Sequence, residues 1–243
     1  MAGETSAPLR RRQAEALGEE ASWANSLAEI PPGAPLLLVA NELLDCLPAQ
    51  QFFRTPNGWA ERMVGLGDDG ELRFGLSPGI AARPPIDGPE GAIWELSPAQ
   101  SALGGELGAR VAADGGAALL IDYGRDAPGF GDTLQALRAH SKESPLASPG
   151  EADLTVHVDF PAVLSAARRA GAQTAPILNQ SDFLRRLGLE ARAQALTAAH
   201  PDRAAVIERQ VHRLVARDQM GSLFKVACVH SIGIAPAGFE PSQ

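Results

Sequence analysis

Three polar side chains, Asn41, Glu42 and Asp45, stand where chemistry would be placed. The apolar run Leu36-Leu37-Leu38-Val39-Ala40 delivers them, and Cys46-Leu47-Pro48 follows. Two carboxylates one turn apart suit a guanidinium, which they can hold by charge-assisted hydrogen bonds. Five apolar residues without alternation predict a strand buried on both faces, as in a parallel sheet. Ligands of open α/β sheets lie beyond the carboxyl ends of the strands, where these residues fall. A second reading stays open: if a helix follows the strand, Asn41 is a good N-cap and Glu42 favours the positive helix end.

A second group of candidates lies in Pro149–Phe160, which carries Glu151, Asp153, His157 and Asp159. Asp159 before Phe160-Pro161 also reads as a helix N-cap. His157-x-Asp159 offers two ligands without a third, and His140 is equally ambiguous, so no metal is assigned. No Ser or Cys sits in an elbow such as G-x-S-x-G. Gly65-Leu66-Gly67-Asp68-Asp69-Gly70 spells a nucleotide-loop pattern, but that loop needs a helix immediately after it. The strand-like Glu71-Leu72-Arg73-Phe74-Gly75 follows instead, so the glycines read as a hairpin turn.

The totals bound the class. A chain of 243 residues with 45% apolar content can bury a full core. A formal charge of −8 argues against nucleic acid as partner, and no apolar run approaches a membrane span. Arg10-Arg11-Arg12, followed by Glu15, Glu19 and Glu20, reads as the solvated face of a helix. Cys46 and Cys228 are too few for a disulfide framework. The expected location is bacterial cytoplasm, or the mitochondrial matrix in a eukaryote.

The elements that must position these residues alternate between strand and helix. Ser6 caps a helix through Leu9, Ala14 and Leu17 to Gly18. After the strand 36–40, the segments around Phe52–Arg54, Trp59–Val64 and Leu72–Phe74 are short strands separated by turn signals, an antiparallel insertion at about 50–80. Ser97-Pro98-Ala99-Gln100 opens a helix with a capping box. A second buried strand, Ala117–Ile121, ends at Asp122-Tyr123-Gly124. Helices are expected over 132–140, 159–171, 180–188 and from Pro201, with a closing strand 223–229. The chain reads as one domain, 1–243, of α/β class with an antiparallel edge.

Several segments together resemble one family. Asn41-Glu42-Leu43-Leu44-Asp45-Cys46-Leu47-Pro48 is similar to the Asn-Glu-Phe-Phe-Asp-Ala-Leu-Pro motif of the MidA-like methyltransferases, which include mitochondrial complex I assembly factors that methylate arginine. The similarity runs through Gln51-Phe52, Gly58–Arg62, Ile121–Gly124, Asp132–Gln135, Pro149–Phe160, Asp182–Leu184 and Met220–Lys225. The resemblance implies a Rossmann-like class I sheet, seven-stranded and mostly parallel, with S-adenosylmethionine as cofactor and arginine of a protein as methyl acceptor. It places Glu4 at the ribose-binding acid and Asn25-Ser26 near the adenine, Asn25 standing where the family has an acid. Asn41 falls at the junction of cofactor and substrate. Glu42 and Asp45 become the guanidinium clamp, and Asp122, His140, Asp153, His157 and Asp159 the candidate substrate-binding residues. Because arginine holds its proton to a pKa above about 12, such an enzyme must orient the guanidinium and localise its lone pair.

Only Met1-Ala2-Gly3 precede Glu4, so the family's first strand and glycine-rich loop have no counterpart ahead of it. The sheet is therefore expected to be incomplete on its N-terminal side, with 36–40 as an apolar edge. Weak cofactor binding by this chain alone is expected, and a homodimer or an N-terminal partner segment is the expected remedy. Two other classes stay in view: a non-catalytic assembly module or methyltransferase fragment, and a hydrolase using His157 and Asp159 with a metal.

Overall fold

A computed structural model describes residues 2–3, 6–18, 21–78, 87–139 and 141–240. Ser6 accepts a hydrogen bond from the amide of Leu9 at 3.5 Å and starts helix α1 (Ala7–Leu17), which ends at Gly18 and buries none of its residues. This is the solvated helix that the arginine run predicts. Trp23–Ala24 pairs in parallel with Ala2–Gly3. Leu27 and Ile30 then pack on the main core, where Arg110 donates to the Ile30 carbonyl at 2.8 Å.

The main sheet is built on β1 (Leu36–Asn41). The next four strands, β2 (Gln50–Thr55), β3 (Gly58–Leu66), β4 (Leu72–Leu76) and β5 (Ile93–Leu96), form a separate antiparallel sheet in the order β4-β3-β2-β5. Helix α2 (Pro98–Asp114) leads into β6 (Gly116–Arg125), which lies parallel to β1 in the register Leu36↔Gly116 to Asn41↔Ile121. Helix α3 (Phe160–Arg169) and the helices α4 (Gln180–Arg186), α5 (Leu189–Ala199) and α6 (Ala204–Val215) precede β7 (Phe224–His230), antiparallel to β6. Val158–Asp159 adds a short parallel pairing to the end of β6, and Gln173–Thr174 and Leu178–Asn179 pair antiparallel with β7. Of the seven-stranded, mostly parallel sheet expected, the described residues supply six strands, with β1 and Val158–Asp159 parallel to β6 and β7 reversed.

One sheet face is thickly covered. Leu107 and Val111 of α2, with Val163 and Ala167 of α3, close over Leu36, Ala40, Ala118, Leu120, Ala227 and Val229. The helices approach closely because α2 presents Gly104 and Gly108 to the α3 backbone. On the other face Phe183 and Phe239 cover Val226 and Cys228, with Leu119 and Ile121 partly buried beside them. The expectation that β1 is buried on both faces is not met: Leu37 is 83% and Val39 72% exposed. Both sit beyond the reach of the covering helices, and among the described residues no strand pairs with the outer edge of β1.

Two other expectations change, and a third holds. The segment 132–140 contains the strand Gln135–Arg138, not a helix, paired with Ser141–Glu143 and Asp153–Thr155. Its Gln-Ala-Leu-Arg composition favours helix, but burying Ala136 opposite Leu154 imposes a two-residue period. Gln100 does not complete a capping box. Its backbone N–H donates to the Ser97 hydroxyl at 3.1 Å while its side chain turns into the core. The Gly65–Gly70 pattern is the predicted hairpin turn, closed by Gly67 N–H to Glu71 O at 2.8 Å.

Candidate active site

No helix follows β1, which removes the capping reading of Asn41 and Glu42. The ladder continues one step further, Glu42 N–H to Ile121 O at 2.9 Å, and the chain then turns sharply with Glu42 at φ 51°. Only Glu42 and Ala139 among the described non-glycine residues have positive φ. A β-carbon costs energy in that region, and such residues cluster where function fixes the backbone. Both Asn41 and Glu42 are exposed, and the Asn41 amide donates to the Glu42 carboxylate at 3.1 Å.

The turn is held from beneath by buried polar groups. Asp122, 1% exposed, accepts the backbone N–H groups of Leu44 at 3.0 Å, Asp45 at 3.3 Å and Tyr123 at 2.9 Å. Gln100, 2% exposed, donates to the Leu44 carbonyl at 3.0 Å and accepts from the Asp159 amide at 3.2 Å. Val156 N–H reaches the Asp45 carbonyl at 3.0 Å. Burial, with a further push from the Asp45 carboxylate, raises the Asp122 pKa to about 7. The Asp45 carboxylate is also buried and accepts a hydrogen bond from the Tyr123 hydroxyl. Desolvation, then that bond, drives the tyrosine pKa upward.

The structure therefore divides the sequence candidates. Glu42 and Asn41 face solvent at the strand end, whereas Asp45 and Asp122 lie under the turn. Asp45 cannot meet a ligand jointly with Glu42 in this conformation, which alters the expected clamp. His157 stands edge-on to Tyr123 with ring centroids 5.6 Å apart, and its amide donates to Thr133 Oγ1 at 2.9 Å. Its pKa is lowered chiefly by burial, so the neutral imidazole is favoured. Asp159 caps α3 through the Ala162 amide at 3.1 Å and pairs with Arg125 at 2.5 Å. Asp153 is exposed on its short strand. Asn25 is tied locally, accepting from Arg10 at 2.9 Å and donating to Glu29 at 2.8 Å, and Ser26 makes no side-chain cap. Glu4 and His140 lie outside the described residues. No group of three or more His, Cys, Asp or Glu side chains suited to a metal occurs among the described residues.

Sequence reasoning missed Gln100, Tyr123, Glu95 and Thr133 as parts of the site's support. Glu95, 5% exposed, accepts from Gln51 at 2.8 Å and from both the amide and hydroxyl of Thr133. Arg62 and Asp132, 2.9 Å apart, extend this network outward. One signal was available for Tyr123: it is the sole tyrosine and directly follows Asp122 at the end of an apolar run.

Asn41 and Glu42 have the donor and acceptor chemistry to meet amine or hydroxyl groups of a cofactor, but the described residues do not enclose them. Two cavities among those residues, of about 590 and 220 Å³, are lined elsewhere, one by α5 and α6 and one by the Trp94–Arg125 region.

Comparison with known proteins defines the class. A family model described as "Putative S-adenosyl-L-methionine-dependent methyltransferase" matches residues 3–178, and the chain belongs to that family. The chain is 34% identical over 209 residues to the zebrafish (Danio rerio) "Protein arginine methyltransferase NDUFAF7, mitochondrial", covering 84% of this chain and 49% of that protein. Against the human protein of the same name it is 36% identical over 179 residues, covering 72% of this chain and 40% of the other. The chain thus spans about half the length of the curated relatives it matches. A crystal structure of a "likely methyl transferase from Burkholderia thailandensis bound to S-adenosyl-homocysteine" superposes with TM-score 0.79 at 28% identity, covering 98% of this chain and 63% of that one. A second structure from the same organism gives TM-score 0.83 at 28% identity, with 98% and 66% covered. The family's cofactor is S-adenosylmethionine. No helix among the described residues is long and apolar enough to cross a membrane.

Proposed function

We propose that the chain serves methyl transfer to an arginine side chain of a protein, with Glu42 as the group that engages the guanidinium. The observation that carries this reading is an exposed carboxylate held in a left-handed turn at the carboxyl end of β1 by the buried Asp122 and Gln100. S-adenosylmethionine, when bound, supplies the electrophilic methyl group. Glu42 orients the guanidinium by charge-assisted hydrogen bonds, and Asn41 fixes the carboxylate that does so. Asp45, bonded to Tyr123, supports the turn from below. Positioning of this kind supplies much of the acceleration in such a transfer. The setting proposed is bacterial cytoplasm or mitochondrial matrix, with arginine-bearing protein as partner.

Glu42→Gln lowers methyl transfer to an arginine peptide about 100-fold, the scale of one preorganised charge contact. Cofactor affinity stays the same, and equal loss of both would move Glu42 to the cofactor. Glu42→Gly abolishes transfer yet leaves stability equal or raised by about 0.5–1 kcal/mol, because glycine accepts positive φ without strain. Radiolabel transfer and thermal unfolding measured on the same preparations check the pair. Calorimetric titration of S-adenosylmethionine into this chain gives binding weaker than micromolar, since Asn41 and Glu42 lie on an open face. Micromolar affinity would show that the enclosure is completed another way.

A second reading, a non-catalytic assembly module, draws on the bare edge of β1 with Leu37 and Val39 exposed. Stable capture of a partner without cofactor, by a chain inactive in transfer, would favour it.

A further inference from the structure

The far end of the β3–β4 ribbon leaves apolar side chains exposed, with the Arg62 guanidinium lying over the Phe74 ring, 5.1 Å from its centroid. Val64 is 52%, Leu66 74%, Phe74 41% and Leu76 47% exposed. The register Val64↔Phe74 and Leu66↔Leu72 puts them on one face with Leu72, since directly opposed residues share a face. The opposite face is equally open, because a β-carbon built on Gly65 or Gly75 meets nothing within 4 Å. An isolated two-stranded ribbon is marginally stable in water.

The hydrogen-bond phase shows what its free edge offers. Ser77 N–H bonds Glu61 O and Gly67 N–H bonds Glu71 O, both at 2.8 Å, which marks these as bonded pairs of the ladder. Alternation then assigns Met63–Gly75 and Gly65–Arg73 as bonded pairs too. Leu72, Phe74 and Leu76 must therefore turn their N–H and C=O groups outward. Among the described residues no strand receives them.

We propose that this edge pairs with β4 of a second copy of the chain, antiparallel about a two-fold axis through Phe74. In that register Phe74 meets the partner's Phe74, and Leu72 meets the partner's Leu76. Each of these pairs exchanges two hydrogen bonds, and the apolar stripe becomes continuous across both copies. Arg73 falls opposite the partner's Gly75, so the self-pairing sets no like charges against each other. A parallel arrangement about a two-fold axis is not available to one edge, and the isologous antiparallel one closes as a dimer. Edge pairing covers less surface than a standard interface, so the dimer is concentration-dependent. The inference does not depend on the methyl-transfer reading.

Sedimentation velocity of the full chain from roughly 1 to 200 µM tests it. The mass rises from the 25.4 kDa monomer toward twice that value. Gly75→Arg weakens association at least tenfold, because it sets positive charges opposite each other twice across the axis. Gly75→Glu tightens it severalfold by pairing with the partner's Arg73. Both substitutions enter open space, so circular dichroism and thermal unfolding of the monomer stay unchanged. A monomer at every concentration overturns the proposal. So does association that ignores both Gly75 variants, or that Val39→Lys abolishes, which would assign it to the β1 edge.

Discussion

Replacing Asp122 by alanine lowers the melting temperature of the chain by roughly 10 °C. The carboxylate is buried and accepts three backbone N–H groups, from Leu44, Asp45 and Tyr123. Alanine leaves all three donors without their acceptor, at about 1–3 kcal/mol for each that water cannot reach. The same residue sets a pH dependence. Its folded pKa of about 7 exceeds the ordinary 3.8, so the folded state keeps a proton that the unfolded chain releases between those values. Stability from this group is full below about pH 4, falls as pH rises to about 7, and is level above it. The total loss is on the order of 4 kcal/mol. Asp122→Asn removes that slope, so chemical denaturation at several pH values between 4 and 8 separates titration from the lost acceptor. An unchanged slope in Asp122→Asn would assign the pH dependence to another group.

Gly104→Ala combined with Gly108→Ala destabilises the chain by about 3–5 kcal/mol although alanine is the better helix former. An added β-carbon would lie 2.5 Å from the Val163 carbonyl oxygen at position 104 and 2.5 Å from that of Ala167 at position 108. These are backbone atoms of α3, so the whole helix must move outward, and Val163 and Ala167 leave the sheet with it. The control sits between them. Gly105→Ala meets nothing within 4 Å and should gain up to about 1 kcal/mol from helix propensity alone. Urea denaturation of the two variants beside the parent chain decides the matter. A double variant as stable as the parent would mean that α3 rides on the sheet more loosely than its packing indicates.

Local chemistry made much of this legible in the sequence. Ser6, Ser97 and Asp159 each accept the amide three residues on, as small polar residues before helices do. The hairpins of β2, β3 and β4 follow from alternation punctuated by Asn-Gly and Asp-Gly. What failed depended on distant partners. Gln100 looked like a capping-box residue until the Leu44 carbonyl, 56 positions away, claimed its amide. The strand at 135–138 exists because Leu154 lies opposite Ala136, a pairing no local propensity encodes. For the site, residue types at the end of β1 pointed to Asn41, Glu42 and Asp45. Which of them reaches solvent depended on Asp122 and Tyr123, nearly eighty positions later.

The placement of the aromatic rings decides what light can report about this molecule. Trp59 stacks on Phe130 and Trp94 leans on Phe52 within the antiparallel sheet, while Trp23 belongs to the short N-terminal pairing. None of the three indoles lies in β1, β6 or β7. Intrinsic tryptophan emission therefore follows the melting of the insertion and the N-terminal segment and is silent on the turn after β1. The lone phenol, Tyr123, lies under that turn with its ionisation driven upward, so ultraviolet difference spectra near alkaline pH monitor that region selectively. An emission transition and a phenol transition that separate on heating would mean the two sheets come apart independently.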